Sequence, residues 1–168
     1  LTVSTTDPPR SAFPSCLGFG LRLSPSSSND PRGLVRCVPC YGVATIALSA
    51  SDGVSELAVH LFDSCSSVTN VSLPDTVATI GAHAFLNCGS LTALSLPDSL
   101  TRIDEGAFRT CPRLAAVTIP DSVGALGYRA FAGVHGLESL SLGNSITTVP
   151  SRAFMGCHRL RTITIPDQ

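Results

Sequence analysis

The chain has 168 residues, of which 43% are hydrophobic and 14% charged, which suffices for one folded domain with its own core. The net charge of −1 and the lack of any block of like charges argue against nucleic acid or an anionic membrane surface as a partner. No apolar run approaches the ~20 residues of a membrane-spanning helix, so no membrane insertion is predicted in this segment.

The chain divides into three parts by composition. Residues 1–40 hold six of the twelve prolines and a run of three serines at 26–28, without a sustained period, which predicts a disordered leader or linker. Residues 41–50 are interpreted as a degenerate first coil. Residues 51–168 are periodic and are predicted to form about five 23-residue repeats. Because residues 165–168 begin another unit, we expect the array to be truncated here and to continue into further repeats.

The repeat is defined by several sequence columns that keep the same 23-residue step. Its phenylalanine column is Phe62, Phe85, Phe108, Phe131 and Phe154. Its proline column is Pro74, Pro97, Pro120 and Pro166, with Gly143 in the remaining position. Three apolar columns run in register with these, which makes a chance origin untenable. Written as one unit, the repeat is L-x-x-L-x-L-P-D-x-V-x-x-I-x-x-x-A-F-x-x-C-x-x.

The spacing within one unit predicts how each coil folds. In Leu94-Ser95-Leu96 a small polar residue separates two apolar ones, which is typical of a short strand with one face inward. Pro-Asp then ends the strand in a turn. A second apolar pair, such as Leu100 and Ile103, points inward again, and A-F-x-x-C closes the coil as a turn or a single helical turn. One coil cannot offset its own ordering entropy, so stacking must stabilise the array.

The repeat resembles the BspA-like subfamily of leucine-rich repeats, because L-x-x-L-x-L is followed by P-D and by A-F-x-x-C. The resemblance implies an α/β, β-dominated solenoid, a right-handed coil stack with short strands on one face and turns or short helices on the other. It also implies a role at the cell surface or outside the cell, as in adhesins. The sequence departs from the general leucine-rich pattern at Thr76, Ser99, Ser122 and Ser145, where that pattern has an Asn or Cys ladder.

Cysteines form the first candidate chemical site. Cys65, Cys88, Cys111 and Cys157 share one column, near enough for disulfides between neighbouring coils, but Val134 occupies the remaining position. The favoured interpretation is therefore small buried core residues, with disulfides as the alternative. Cys37 and Cys40 form a lone C-x-x-C, a weak zinc or redox signal whose pairing stays open.

Acidic and histidine columns are the other candidates. The aspartate column could bind a cation, but Asn144 interrupts it, which favours turn capping. That column is Asp75, Asp98, Asp121 and Asp167. Histidines pair one coil apart, His60 with His83 and His135 with His158, and are interpreted as outer-surface residues, since two imidazoles are too few for structural zinc. The column of His60 and His83 continues through Gly106 to Arg129 and Arg152 as a modest positive strip. No metal or other cofactor is predicted.

The outward positions of the predicted strands are the leading candidate for function. They are small and mostly hydroxylic, and the strand side of a solenoid is usually concave and available for binding. The candidate binding residues are Asn70, Ser72, Ser95, Thr118, Ser139, Ser141, Thr162 and Thr164, with Ala93 and Ala116 between them.

Two functional hypotheses follow, neither of them catalytic. The first is a scaffold that binds a protein or a glycan, acting in adhesion or surface recognition. The second is a structural or spacer array within a larger protein. No catalytic motif is present, so an enzyme is not predicted.

Overall fold

Successive repeats lie side by side as the coils of a β-solenoid in the computed structural model, which describes residues 2–5, 43–48, 50 and 54–165. The first sheet follows the L-x-L segments, because alternate residues of an extended strand face opposite sides and only one side meets the core. Its strands are β2 (Val43–Ala47), β4 (Asn70–Ser72), β6 (Ala93–Ser95), β8 (Ala116–Thr118), β10 (Ser139–Ser141) and β11 (Thr162–Thr164). Paired neighbours are parallel and in register, as where Val71 pairs with Leu94 and Leu140 with Ile163, and the pairing is interrupted between β6 and β8.

A second parallel sheet runs along another side of the same coils. Its strands have two residues each: β3 (Glu56–Leu57), β5 (Thr79–Ile80), β7 (Arg102–Ile103) and β9 (Ala125–Leu126). They pair in chain order, each with its neighbour 23 residues on. The second residues of the first three, Leu57, Ile80 and Ile103, are fully buried.

The A-F segments form a third side of the coil and consist of turns. The N–H groups of His83, Phe85 and Asn87 donate to carbonyls of the next coil at 2.9, 2.8 and 2.9 Å. The intervening residues Ala84 and Leu86 donate back within their own coil. This turn ladder satisfies the backbone without a helix and is the third hydrogen-bonded seam between coils.

The core lies between these three sides and contains a phenylalanine stack. Ring centroids of Phe62, Phe85, Phe108 and Phe131 follow one another at 5.2, 5.2 and 5.1 Å, and Phe154 continues the stack at 5.7 Å. Interplanar angles fall from 22° at the first pair to 4° at the second. The coil spacing therefore sets the ring spacing, within the 4.5–7 Å range favoured by aromatic pairs.

The first coil precedes the regular 23-residue units. Strand β2 pairs with β4 so that Thr45 lies opposite Asn70, an offset of 25, whereas Leu57 lies opposite Ile80, an offset of 23. Two extra residues therefore fall between Leu48 and Val54. Strand β1 (Thr2–Thr5) pairs antiparallel with β2, and thus lies within the segment predicted as a leader or linker. The other residues of the 1–40 segment lie outside the part of the chain that the structure describes.

The helical part of the predicted fold class is not found. In the described ranges no residue is α-helical, and the side opposite the strands consists of turns and the second sheet. The reason is the turn ladder, in which alternate N–H groups bond to the next coil instead of along the chain. The right-handed winding stays a prediction. Within the part of the chain that the structure places, no helix is long and apolar enough to cross a bilayer.

Candidate binding face

The strand face is the outward side of the first sheet, made of the ten positions named above from Asn70 to Thr164. Backbone register brings Ser72 beside Ser95, and Ser141 beside both Thr118 and Thr164. All ten side chains are exposed except Ser141, which is half-buried. The structure thus brings the predicted binding residues together on one surface, while their role in binding stays a prediction.

The chemistry of the strand face is uniform. Its ten positions carry hydroxyl, methyl and one amide group, and neither a charge nor an aromatic ring. Tight protein interfaces usually centre on Trp, Tyr or Arg anchors. This face therefore fits weak contact repeated over several coils better than a single high-affinity site.

The aspartate column lies in the Pro-Asp turns, at the edge of the strand face where each strand ends. Asp75, Asp98 and Asp121 are exposed, and Asp121 accepts hydrogen bonds from the backbone N–H and the Nδ2 amide of Asn144, both at 2.9 Å. The Asn144 amide can donate a hydrogen bond to the Asp121 carboxylate, whereas an aspartate at position 144 would repel it. This difference supports the turn interpretation of the column. No group of three potential metal ligands occurs among the described residues. Asp167 lies outside them.

Small hydroxyl residues after the Pro-Asp turn replace the Asn or Cys ladder of the general pattern. The Ser99 hydroxyl donates to the Val77 carbonyl at 2.8 Å, and the Ser122 hydroxyl to the Leu100 carbonyl at 2.6 Å. Each bond joins a coil to the one before it. The sequence signal for these bonds is a hydroxyl donor that recurs every 23 residues, at Ser99 and Ser122.

The cysteine column does more than fill core volume. Cys88 and Cys111 are free and fully buried, and Cys157 is free and half-buried. Their thiols lie 3.4, 3.2 and 3.4 Å from the carbonyls of Phe62, Phe85 and Phe131 in the preceding coil. Interaction with the Cys88 side chain and burial raise the pKa of Cys111 well above its usual range, and burial raises the pKa of Cys157. These three thiols are packing and hydrogen-bonding groups, which confirms the favoured interpretation for them.

Cys65 differs from the rest of its column. It is buried like Cys88 but is disulfide-bonded. The disulfide considered as the alternative for the column is therefore found at Cys65, and it does not join Cys65 to Cys88 of the next coil, since Cys88 is free. The Cys37 and Cys40 motif lies outside the described residues.

Each histidine pair brings two rings together across its own coil junction, one pair tilted and the other stacked. The rings of His60 and His83 are 4.9 Å apart at 31°, and those of His135 and His158 are 5.4 Å apart at 3°. His135 and His158 are exposed, as predicted, whereas His83 is partly buried. His60 Nδ1 lies 3.1 Å from the Asp63 carboxylate, an acidic neighbour that the repeat columns do not reveal because Asp63 does not recur.

The positive strip occupies the left-handed position of the turn ladder. His60, His83, Gly106, Arg129 and Arg152 all have φ between 55° and 60°, which costs a non-glycine residue energy that the inter-coil bonds offset. At Gly106 a Cβ atom would meet His83 Nδ1 at 2.4 Å, so glycine makes room for that imidazole. His83 Nδ1 and Arg129 Nε are buried, whereas Arg152 is exposed and its Nη1 donates to the Tyr128 hydroxyl at 3.3 Å. The strip is therefore partly enclosed by the turn ladder and reaches the surface at Arg152.

Two sets of parallel strands, a turn ladder between coils and a repeating L-x-x-L-x-L unit define the class as a leucine-rich-repeat solenoid. Residues 53–168 match the family described as BspA type Leucine rich repeat region, in six copies. The chain belongs to this family, which confirms the resemblance drawn from its repeat. No curated protein matches the chain.

Solved structures of similar proteins share this fold. A leucine rich cell surface protein from Faecalibacterium prausnitzii is 34% identical with a TM-score of 0.67, over 70% of this chain and 31% of that protein. The T. pallidum leucine rich repeat protein is 30% identical with a TM-score of 0.53, over 66% of this chain and 63% of that one. The pneumococcal vaccine antigen PcpA is 28% identical with a TM-score of 0.64, over 71% of this chain and 29% of that antigen. The chain thus spans less than two thirds of the length of each.

Proposed function

We propose that this segment is a non-catalytic scaffold that binds a protein or a glycan at the cell surface, in adhesion or surface recognition. The observation that carries the proposal is the strand face, an exposed array of small hydroxyl groups on five strands, which are in register from β4 to β6 and from β8 to β11. A solenoid presents such a face as one extended surface.

Two further observations support a location outside the cell. The F. prausnitzii relative is described as a cell surface protein. Cys65 is disulfide-bonded, and disulfides persist in oxidising compartments and are rare in the cytosol. Both bear on location and neither identifies a partner.

Arginine substitution in the strand face tests the proposal. Ser95→Arg with Thr118→Arg places two large cations at the centre of the face, where they would block a partner in contact with several coils. A glycan array and intact host cells analysed by flow cytometry serve as probes. We expect binding by the wild-type chain and a loss of about tenfold or more in the double variant, the size of a disrupted central contact.

A matched control adds the same charge to another side of the coil. Ala125→Arg with Thr148→Arg changes two exposed residues one coil apart in the column of the second sheet that carries Arg102 naturally. Binding should survive in this variant. If Ser95→Arg with Thr118→Arg binds like the control, the strand face is not the binding surface, and absence of binding by the wild type would favour a structural or spacer array.

A further inference from the structure

One junction of the solenoid lacks part of its backbone bonding. Strands β6 and β8 lie side by side, yet β6 ends a four-stranded sheet and β8 begins a three-stranded one. The first sheet is therefore divided between the coil that starts at Leu91 and the coil that starts at Leu114.

The neighbouring junctions show which bonds are missing. Thr92 and Ala93 N–H donate to the Thr69 carbonyl at 2.9 and 3.1 Å, and two junctions later the N–H groups of residues 138 and 139 donate to the Ala115 carbonyl at 2.8 and 3.3 Å. The equivalent bonds from Ala115 and Ala116 to the Thr92 carbonyl are absent, although the structure describes all three residues. The division is thus a local loss of ladder bonds in the first sheet. The second sheet ends one junction later, after β9, where Pro150 has no N–H at the position from which Gly127 donates to the Ile103 carbonyl.

The sequence supplies a contributing cause at residue 115. Thr69 and Thr92 occupy the same column, and their hydroxyls donate to the carbonyls of Ala44 and Thr69 at 2.9 and 3.0 Å. Ala115 has no hydroxyl, so this extra bond is lost where the ladder is divided. Glu138, in the same column, also lacks a hydroxyl and keeps its ladder, so the substitution weakens the junction without being its sole cause.

Packing is also looser beside the division. Leu94 is only partly buried, whereas Val71, Val117 and Leu140 in its column are buried. Leu96 is partly buried too, while Leu73 and Ile119 in its column are buried. Fewer ladder bonds and greater exposure of apolar side chains both characterise segments that open at low free energy.

The other sides of this junction stay closed. In the second sheet Arg102 pairs with Ala125. In the turn ladder Phe108 N–H donates to the Ala130 carbonyl at 2.8 Å, and the Phe108 and Phe131 rings stack at 5.1 Å. A junction held on two sides and unbonded on the third has the geometry of a hinge.

We propose that the solenoid opens and closes between β6 and β8, with the second sheet and the turn ladder acting as the hinge line. The movement changes the separation of Ser95 and Thr118, so that the strand face consists of two parts, each held by paired strands, with one adjustable step between them. The hinge rests on backbone bonding and packing alone, and its test does not depend on the proposed binding function.

Amide hydrogen exchange of the whole chain, resolved by NMR and corrected for intrinsic rates, tests the hinge. Ala115 and Ala116 amides are expected to exchange at least about tenfold faster than those of Glu138 and Ser139, because only the latter have ladder partners. Comparable exchange at the two junctions would overturn the proposal.

A repair variant and its control sharpen the test. Ala115→Thr restores the residue found at positions 69 and 92 and should slow exchange at 115 and 116 severalfold, because its hydroxyl can donate to the Thr92 carbonyl. Ala116→Thr is the control. It makes the same chemical change at the next residue, whose side chain belongs to the strand face like that of Thr162, and it should leave the exchange rates of the 115 and 116 amides unaltered. An equal response in both variants, including none in either, would contradict the proposal.

Discussion

Gly143 shows how one residue adapts the repeat to its neighbour. It stands in the proline column, and a Cβ atom there would meet the Pro120 carbonyl oxygen at 2.1 Å and its carbon at 2.5 Å. Both contacts are backbone and cannot move aside cheaply. Glycine therefore lets two coils approach at the place where Asn144 bonds to Asp121.

Alanine at 143 is accordingly expected to destabilise the fold. Gly143→Ala should lower the free energy of unfolding by about 1–3 kcal/mol, the cost of an overpacked site, as measured by urea denaturation. Gly124→Ala is the control, because its Cβ would meet nothing within 4 Å, and it should change stability by less than about 0.5 kcal/mol. Equal effects of the two substitutions would show that the close approach at Gly143 carries no cost.

The buried thiol of Cys111 makes stability depend on alkaline pH. Its pKa is raised in the folded protein by the Cys88 side chain and by burial, so the thiol stays neutral there while the unfolded chain ionises above pH 9.0. Its contribution is present below that pH and is lost as the pH rises towards the folded pKa.

Cys111→Val isolates this contribution, because Val134 shows that the column accepts valine. Urea denaturation across pH 8 to 11 should show the wild type losing about 1 kcal/mol more per pH unit above pH 9 than the variant. All other titrating groups are common to both chains, so the difference between the curves reports the Cys88 and Cys111 pair, whose side chains interact. Parallel curves would mean that Cys111 ionises equally easily in the folded and unfolded states.

At the scale of an element, the phenylalanine stack joins every coil from Phe62 to Phe154. Phe108 is fully buried between two rings, whereas Phe154 is partly buried and, among the described residues, stacks on Phe131 alone. The same substitution should therefore cost more at the centre of the stack than at its end.

Phe108→Leu is expected to destabilise the protein by about 1 kcal/mol more than Phe154→Leu, since it removes two ring pairs instead of one and loses more buried area. Thermal and urea unfolding of both variants measure the difference. A larger loss at Phe154 would mean that the last coil, and not the middle of the stack, limits stability.

Elements differed in how well the sequence predicted them. The strand at 93–95 follows from Leu94-Ser95-Leu96, because alternation over three residues with a Pro-Asp stop leaves little choice. The second sheet was missed, because two residues such as Thr79 and Ile80 are too few to show a period. The single helical turn suggested for A-F-x-x-C was not found, since its N–H groups bond to the next coil, a partner that no local pattern reveals.

Over the whole molecule, the repeat predicted which residues share a column but not how two coils meet. The strand-face residues lie on one surface because column membership suffices to place them. The divided ladder at Ala115, the His60 contact with Asp63 and the Cys65 disulfide depend on residues that occur once, and repetition carries no information about those.

The turn ladder also has an electrostatic consequence along the whole array. Its inter-coil bonds, from His60 N–H to the Ala82 carbonyl through to Gly133 N–H to the Met155 carbonyl, all run from an earlier coil to a later one. Peptide dipoles aligned head to tail add, as they do along a helix axis. The turn side therefore carries a macrodipole parallel to the stack, with its partial negative charge at the first coil and its partial positive charge at the last. Each coil added to the array lengthens that dipole.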